Sequence, residues 1–220
     1  MTAGDDACSN RTLKTTQNPT PKPGSSRGFA LAVALAMALA GTAHSQRGAL
    51  TAPRDLAQMT QQASAIVRGR VTSAMVEPDP QFTHLQTVVV RLSVQQVLKG
   101  APVKTYTFRQ FIWDARDERD AAGYQAGEEM LLFMNPPNEN GLSSPVGLDQ
   151  GRFRIVRTAK GNFAVNGQNN AGLLAHVAGA LQQRQARVSA RAARVVASPR
   201  HGPVAVEVLE ELTRGLVGKP

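Results

Sequence analysis

Cysteine is all but missing from this 220-residue chain, with Cys8 the single example. A lone thiol cannot close a disulfide within its own chain, and no Cys-x-x-Cys or Cys/His cluster exists to hold a structural zinc. Aromatic residues are scarce too, at 5% with one Trp and two Tyr, which leaves little for unpaired bases to stack on. Between Gly167 and Val206 there is no acidic residue at all. The fingerprints His-Glu-x-x-His, Gly-x-x-x-x-Gly-Lys-Ser/Thr and Gly-x-Gly-x-x-Gly are all missing, so nothing local marks a zinc protease, a P-loop or a dinucleotide fold. The four histidines, His44, His84, His176 and His201, lie in unrelated segments. No metal or cofactor is implied.

What is present begins with an apolar run, Phe29 to Ala40 (FALAVALAMALA). It falls short of the roughly 20 residues a spanning helix needs and has the length of a signal-peptide core. Arg11, Lys14, Lys22 and Arg27 precede it, and Ala43 and Ser45 supply small residues for cleavage between Ser45 and Gln46. Residues 1–45 therefore read as an export signal with a long polar leading region, the alternative being an anchor that stays attached. Cys8 would leave with the signal, and the exported chain would rely on packing alone. Residues 1–45 hold four of the 25 Lys/Arg and two of the 16 acids, which leaves +7. Of this, residues 46–166 carry 14 Lys/Arg against 11 acids, and residues 167–220 carry 7 against 3.

From Gln46 the pattern turns to short strands. Pro53 to Ala63 has Leu56, Met59 and Ala63 at helical spacing and predicts a short amphipathic helix. In Ile66 to Val71, Val67, Gly69 and Val71 share one face while Arg68 and Arg70 point away, and Glu77 to Pro80 (EPDP) ends the pattern. Leu85 to Leu98 alternates through Val88, Val90, Leu92 and Val94, turns at Lys99 to Pro102, and returns as Val103 to Phe108. Met130 to Met134 (MLLFM) is continuously apolar and predicts a strand buried on both faces. Arg152 to Val156 and Asn162 to Val165 flank Ala159-Lys160-Gly161 as a second hairpin. With no helix between the first four strands, the expected architecture for residues 46–166 is mainly β: a small antiparallel Greek-key, OB-like barrel preceded by a short helix and followed by a helical tail.

The ordered pieces Ile66-Val67-x-Gly69-x-Val71, Val97-Leu98-Lys99-Gly100, Gly127-Glu128-x-Met130-Leu131-Leu132-Phe133 and Gly147-x-x-Gln150-Gly151-x-Phe153 carry a family resemblance. Over about residues 55 to 166 the chain resembles the netrin-type barrel modules, a group that includes the tissue inhibitors of metalloproteinases and similar bacterial secreted proteins. That resemblance implies an OB-like barrel and no particular activity. The animal inhibitors chelate the protease zinc through an N-terminal Cys held by disulfides, and the exported chain has no Cys to do so. Contact with a protease would have to use another surface.

In the tail, Leu173 to Ala197 places Leu174, Val177, Leu181, Val188 and Val195 at helical spacing, and Arg184, Arg187, Arg191 and Arg194 recur beside them. One amphipathic helix with a basic stripe is expected over residues 167–202, suited either to an anionic surface or to plain solvation. Residues 203–220, opened by Pro203, predict a last helix that buries Val206, Leu209, Leu212 and Leu216 against the barrel.

The most distinctive segment is Phe111 to Asp120 (FIWDARDERD), holding the only Trp. It lacks the glycine and the ligand alternation of a calcium loop. Phe111, Trp113, Arg116 and Arg119 are candidate partner-binding residues, because aromatic and Arg side chains anchor protein contacts. Alternatively, Phe111 and Trp113 cap the barrel end while the charges face water. Nucleic acid is not an expected partner: residues 46–166 carry only +3, with Tyr106 and Phe108 as their one aromatic pair on a strand face. The whole describes an exported, non-catalytic binding or accessory protein of the envelope, periplasmic or extracellular, whose partner is a protease or another envelope protein. Two further readings stay open: a secreted hydrolase built from scattered groups such as His84, Asp114 and Glu128, and an envelope protein held peripherally to anionic lipid by its arginines.

Overall fold

The computed structural model describes residues 52–198 and 201–218, and the expected export signal lies outside them. Asp55 starts the first helix, α1 (Leu56–Gln62), with a reciprocal cap: its Oδ1 accepts from the Gln58 N–H at 2.9 Å, and Gln58 Oε1 accepts from the Asp55 N–H at 3.0 Å. The Lys99 Nζ reaches the other end, donating to the Thr60 and Gln61 carbonyls at 2.8 and 3.2 Å, where the helix leaves carbonyls without partners.

One curled antiparallel sheet follows, with strands in the order β3-β2-β1-β4-β5-β6-β7. They are β1 (Ala65–Pro78), β2 (Gln86–Lys99), β3 (Thr105–Phe111), β4 (Glu129–Met134), β5 (Arg152–Thr158), β6 (Gly161–Asn166) and the short β7 (Val204–Ala205). The curl is pinned by Leu142 to Val146, which is not a regular strand. It bridges β3 through a parallel Arg109–Leu142 pair and β4 through an antiparallel Met134–Pro145 pair. The Ser143 N–H donates to the Arg109 carbonyl at 2.8 Å, and the Val146 N–H to the Phe133 carbonyl at 2.7 Å. The mainly β, barrel-like architecture with helical ends thus stands as the sequence predicted, with β1 continuing to Pro78 beyond its expected end at Val71.

Two apolar layers follow from strand alternation. Inside the curl, Val67, Val71, Val88, Val90, Leu92 and Phe108 meet Met130, Leu132 and Met134. On the other face Ile66, Leu131, Phe133 and Phe153 pack against the helices. Every residue of β4 is buried, as its unbroken apolar run requires. Two glycines of the pieces that carry the resemblance have a steric explanation. A Cβ on Gly69 would fall 2.5 Å from the Ser93 carbonyl oxygen, where β1 and β2 slip register, and one on Gly151 would fall 2.5 Å from the Val146 carbonyl oxygen.

The tail departs from its expected form. Instead of one helix over Leu173 to Ala197, the chain makes α3 (Val177–Gln183) and α4 (Ala190–Ala197). The break is a hydrogen-bonded helix stop: Gln185 is left-handed (φ 52), its N–H donates to the Gln182 carbonyl, and the Ala186 N–H donates to the Leu181 carbonyl. Glycine usually holds that position, so nothing in the sequence announces the stop. The turn seats against Gly215 of the last helix, α5 (Val206–Val217), where a Cβ would lie 2.8 Å from Leu181 Cδ2. The basic stripe is therefore divided, with Arg184 capping α3, Arg187 in the turn, and Arg191 and Arg194 on α4. Val204 and Ala205 pair with β6 before α5 begins, so Pro203 opens a strand and not a helix. As expected, Val206, Leu209, Leu212 and Leu216 are buried on α5.

Candidate functional site

Alternation along β3 decides where its aromatics go. Phe108 and Gln110 face inward, so Arg109 and Phe111 face out. Tyr106 and Phe108, the pair weighed as a base-stacking face, sit 6.1 Å apart on the inner side, where Phe108 meets Tyr124 edge to face. Ile112 turns into the barrel mouth, where it is buried with Ala122 and Tyr124. Trp113 is thereby directed outward. It is 62% exposed and stands perpendicular to Phe111, ring centroids 5.1 Å apart. Of the two readings of this segment, the barrel cap falls to Ile112, and Trp113 projects into solvent.

The platform under Trp113 is held at both ends. Asp114 caps the short helix α2 (Ala115–Arg119), its Oδ1 accepting from the N–H groups of Arg116 and Asp117 at 2.8 and 2.9 Å. Arg116 and Arg119 are exposed and one turn apart on that helix. Ala121, Ala122 and Gly123 then take left-handed φ of 51, 54 and 77°, a conformation that costs an alanine about 1–2 kcal/mol. Arg152 secures this bend by donating to the Ala122 carbonyl and to Asp149 Oδ1, with its guanidinium 4.9 Å from the Tyr124 ring centre. The Tyr124 hydroxyl donates to Gln110 Oε1 at 2.9 Å. Burial pushes that hydroxyl up to about 12 despite the cation beside it. Two more exposed apolar side chains belong to the same end of the sheet: Met75, on the outer face by register, and Phe82, in the β1–β2 loop against His84.

A second feature was not foreseen. Outward-facing positions of β1, β4 and β5 and one face of α5 assemble a polar seam. Glu129 and Glu210, side chains 5% and 7% exposed, are its anchors. Arg68 bridges them, donating to Glu129 at 2.8 Å and to Glu210 at 2.7 Å, while Arg157 adds a 2.6 Å bond to Glu129 and Arg214 a 3.1 Å bond to Glu210. Burial opposes the charge on Glu129, but the hydrogen bonds from Arg157 and Arg68 outweigh it and hold the carboxyl below its ordinary value. The seam opens into a cleft of about 260 Å³ with Arg70, Arg154 and Arg157 on its walls. Arg68 and Arg70 had registered only as residues facing away from a strand. The available signal was that such positions on three strands all carry charge.

The scattered polar groups considered for a hydrolase occupy separate settings. Glu128 lies in the cleft 3.4 Å from Arg154, Asp114 caps α2, and His84 packs on Phe82 in the β1–β2 loop. Among the described residues no group of three or more His, Cys, Asp or Glu is placed to hold a metal ion, and no helix is long and apolar enough to cross a membrane. Arg184, Arg187, Arg191 and Arg194 are all exposed, and among the described residues none forms an ion pair. No protein-family model, curated protein or solved structure matches the chain.

Proposed function

We propose that the chain is an exported, non-catalytic binding protein of the envelope or extracellular space, and that it engages a protein partner through the Phe111–Trp113 ridge with Arg116 and Arg119 beside it. The observation that carries this is a single Trp, 62% exposed, on a segment whose ends are fixed by buried Ile112 and Tyr124. A large side chain held ready in solvent loses little entropy when a partner covers it, which is the property of an interface anchor. The resemblance to netrin-type modules puts a protease among the partners to try, met here by an aromatic surface in place of a chelating Cys. Capture from periplasm or medium should retain a defined protein on the wild-type chain and lose it at least tenfold with Trp113→Ala. Capture that is equal in both, or turnover in an unbiased hydrolase screen with no partner retained, defeats the reading.

The exposure of the four tail arginines, with no ion pair among the described residues, favours one further role, peripheral attachment to anionic lipid by charge alone. Sedimentation with phosphatidylglycerol vesicles should then fall in high salt and in a variant carrying R184Q, R187Q, R191Q and R194Q.

A further inference from the structure

The seam and the cleft beside it together hold more positive charge than their carboxylates neutralise. Five guanidiniums, Arg68, Arg70, Arg154, Arg157 and Arg214, share three carboxylates, Glu128, Glu129 and Glu210. Both oxygens of Glu129 are already engaged, Oε1 by Arg68 and Oε2 by Arg157. Arg70, Arg154 and Arg157 nevertheless converge on one cleft, their side chains 45%, 61% and 62% exposed. Among the described residues the Arg154 side chain donates no hydrogen bond; it faces Glu128, at 3.4 Å from Nε. Arg157 uses one N–H on Glu129, and Arg70 one on the Gly127 carbonyl. Guanidiniums carry five N–H donors each, in a fork that matches the oxygens of a carboxylate or phosphate. Gathering three of them with most donors unspent is unfavourable until an anion enters, and the buried Ile155 on the wall lowers the local dielectric that such an anion would feel.

We infer that this cleft binds a small oxyanion, a phosphate or a dicarboxylate, gripped by Arg154 with Arg70 and Arg157. The three guanidiniums on its walls outnumber the two carboxylates, Glu128 and Glu129, and the cleft, at about 260 Å³, is sized for a small ligand and not for a chain. This site lies apart from the Trp113 ridge, and its occupation does not depend on the partner proposed above.

Titration calorimetry of the purified full chain with inorganic phosphate, and separately with succinate, at constant ionic strength set by sodium chloride, tests it. Saturable one-to-one heat with at least one of the two is expected, and the stronger of the pair names the headgroup. Arg154→Gln should weaken it at least tenfold and Arg154→Lys by less, since charge survives but the fork does not. The variant lacking the four tail arginines should bind as the wild type does. No saturable heat from either anion, equal binding by Arg154→Gln, or binding that disappears with the tail arginines would each overturn the assignment.

Discussion

Arginine on the sheet and arginine in the tail are held in different ways. Arg68, Arg109, Arg152, Arg154 and Arg157 each face a carboxylate at 2.5–3.4 Å, and two of those acids are buried. Arg184, Arg187, Arg191 and Arg194 face water, in a stretch of sequence with no acid. At the α5 seam the difference follows from burial of the acids, Glu129 and Glu210. Beneath α5 an unpaired charge costs several kcal/mol, so partners are required there and their geometry fixes how the helix lies on the sheet. In the tail the arginines are exposed to water, and the same residue type contributes to the field around the molecule.

The strongest way to break that contrast is Glu129→Ala, which takes an acceptor from both Arg68 and Arg157. Urea denaturation should show a loss of about 1–3 kcal/mol, the usual consequence of taking the acceptor from charged hydrogen bonds. A loss under about 1 kcal/mol would mean that the sheet arginines are as well solvated as those of the tail. Acid sharpens the contrast further. Because the folded carboxyl of Glu129 titrates below its ordinary value of 4.5, its contribution is complete above that value and is lost as pH falls through the lower, folded one. Stability measured from neutral pH downward should therefore decline through this acid range, and Glu129→Gln should lose this component of the decline. The smallest effect is expected from R184Q, R187Q, R191Q and R194Q together, with thermal unfolding within about 0.5 kcal/mol per site of the wild type. A larger change would reveal a pairing in the tail.

What the sequence made readable was what short periods encode. The MLLFM run has no polar alternate, and so both faces of β4 had to be covered; alternation in β2 placed Val88, Val90 and Leu92 inside. Two kinds of information were out of reach. The Gln185 stop is set by packing of the turn against Gly215, thirty positions away, with no glycine or proline to announce it. The Arg68–Glu210 bond joins residues 142 positions apart, and no local pattern can hold such a pair. Of the candidate partner residues, Phe111 and Trp113 do touch, because Ile112 between them takes the inward position.

The outward placement of Trp113 also governs what light can report. With the sole indole already in water, its emission should start at long wavelength in the native chain and change little as the barrel melts, so fluorescence would be a poor gauge of unfolding. The same property makes it a silent-background sensor. A blue shift on mixing would arise from something settling over that one ring, and so would identify an occupant of the ridge without any label.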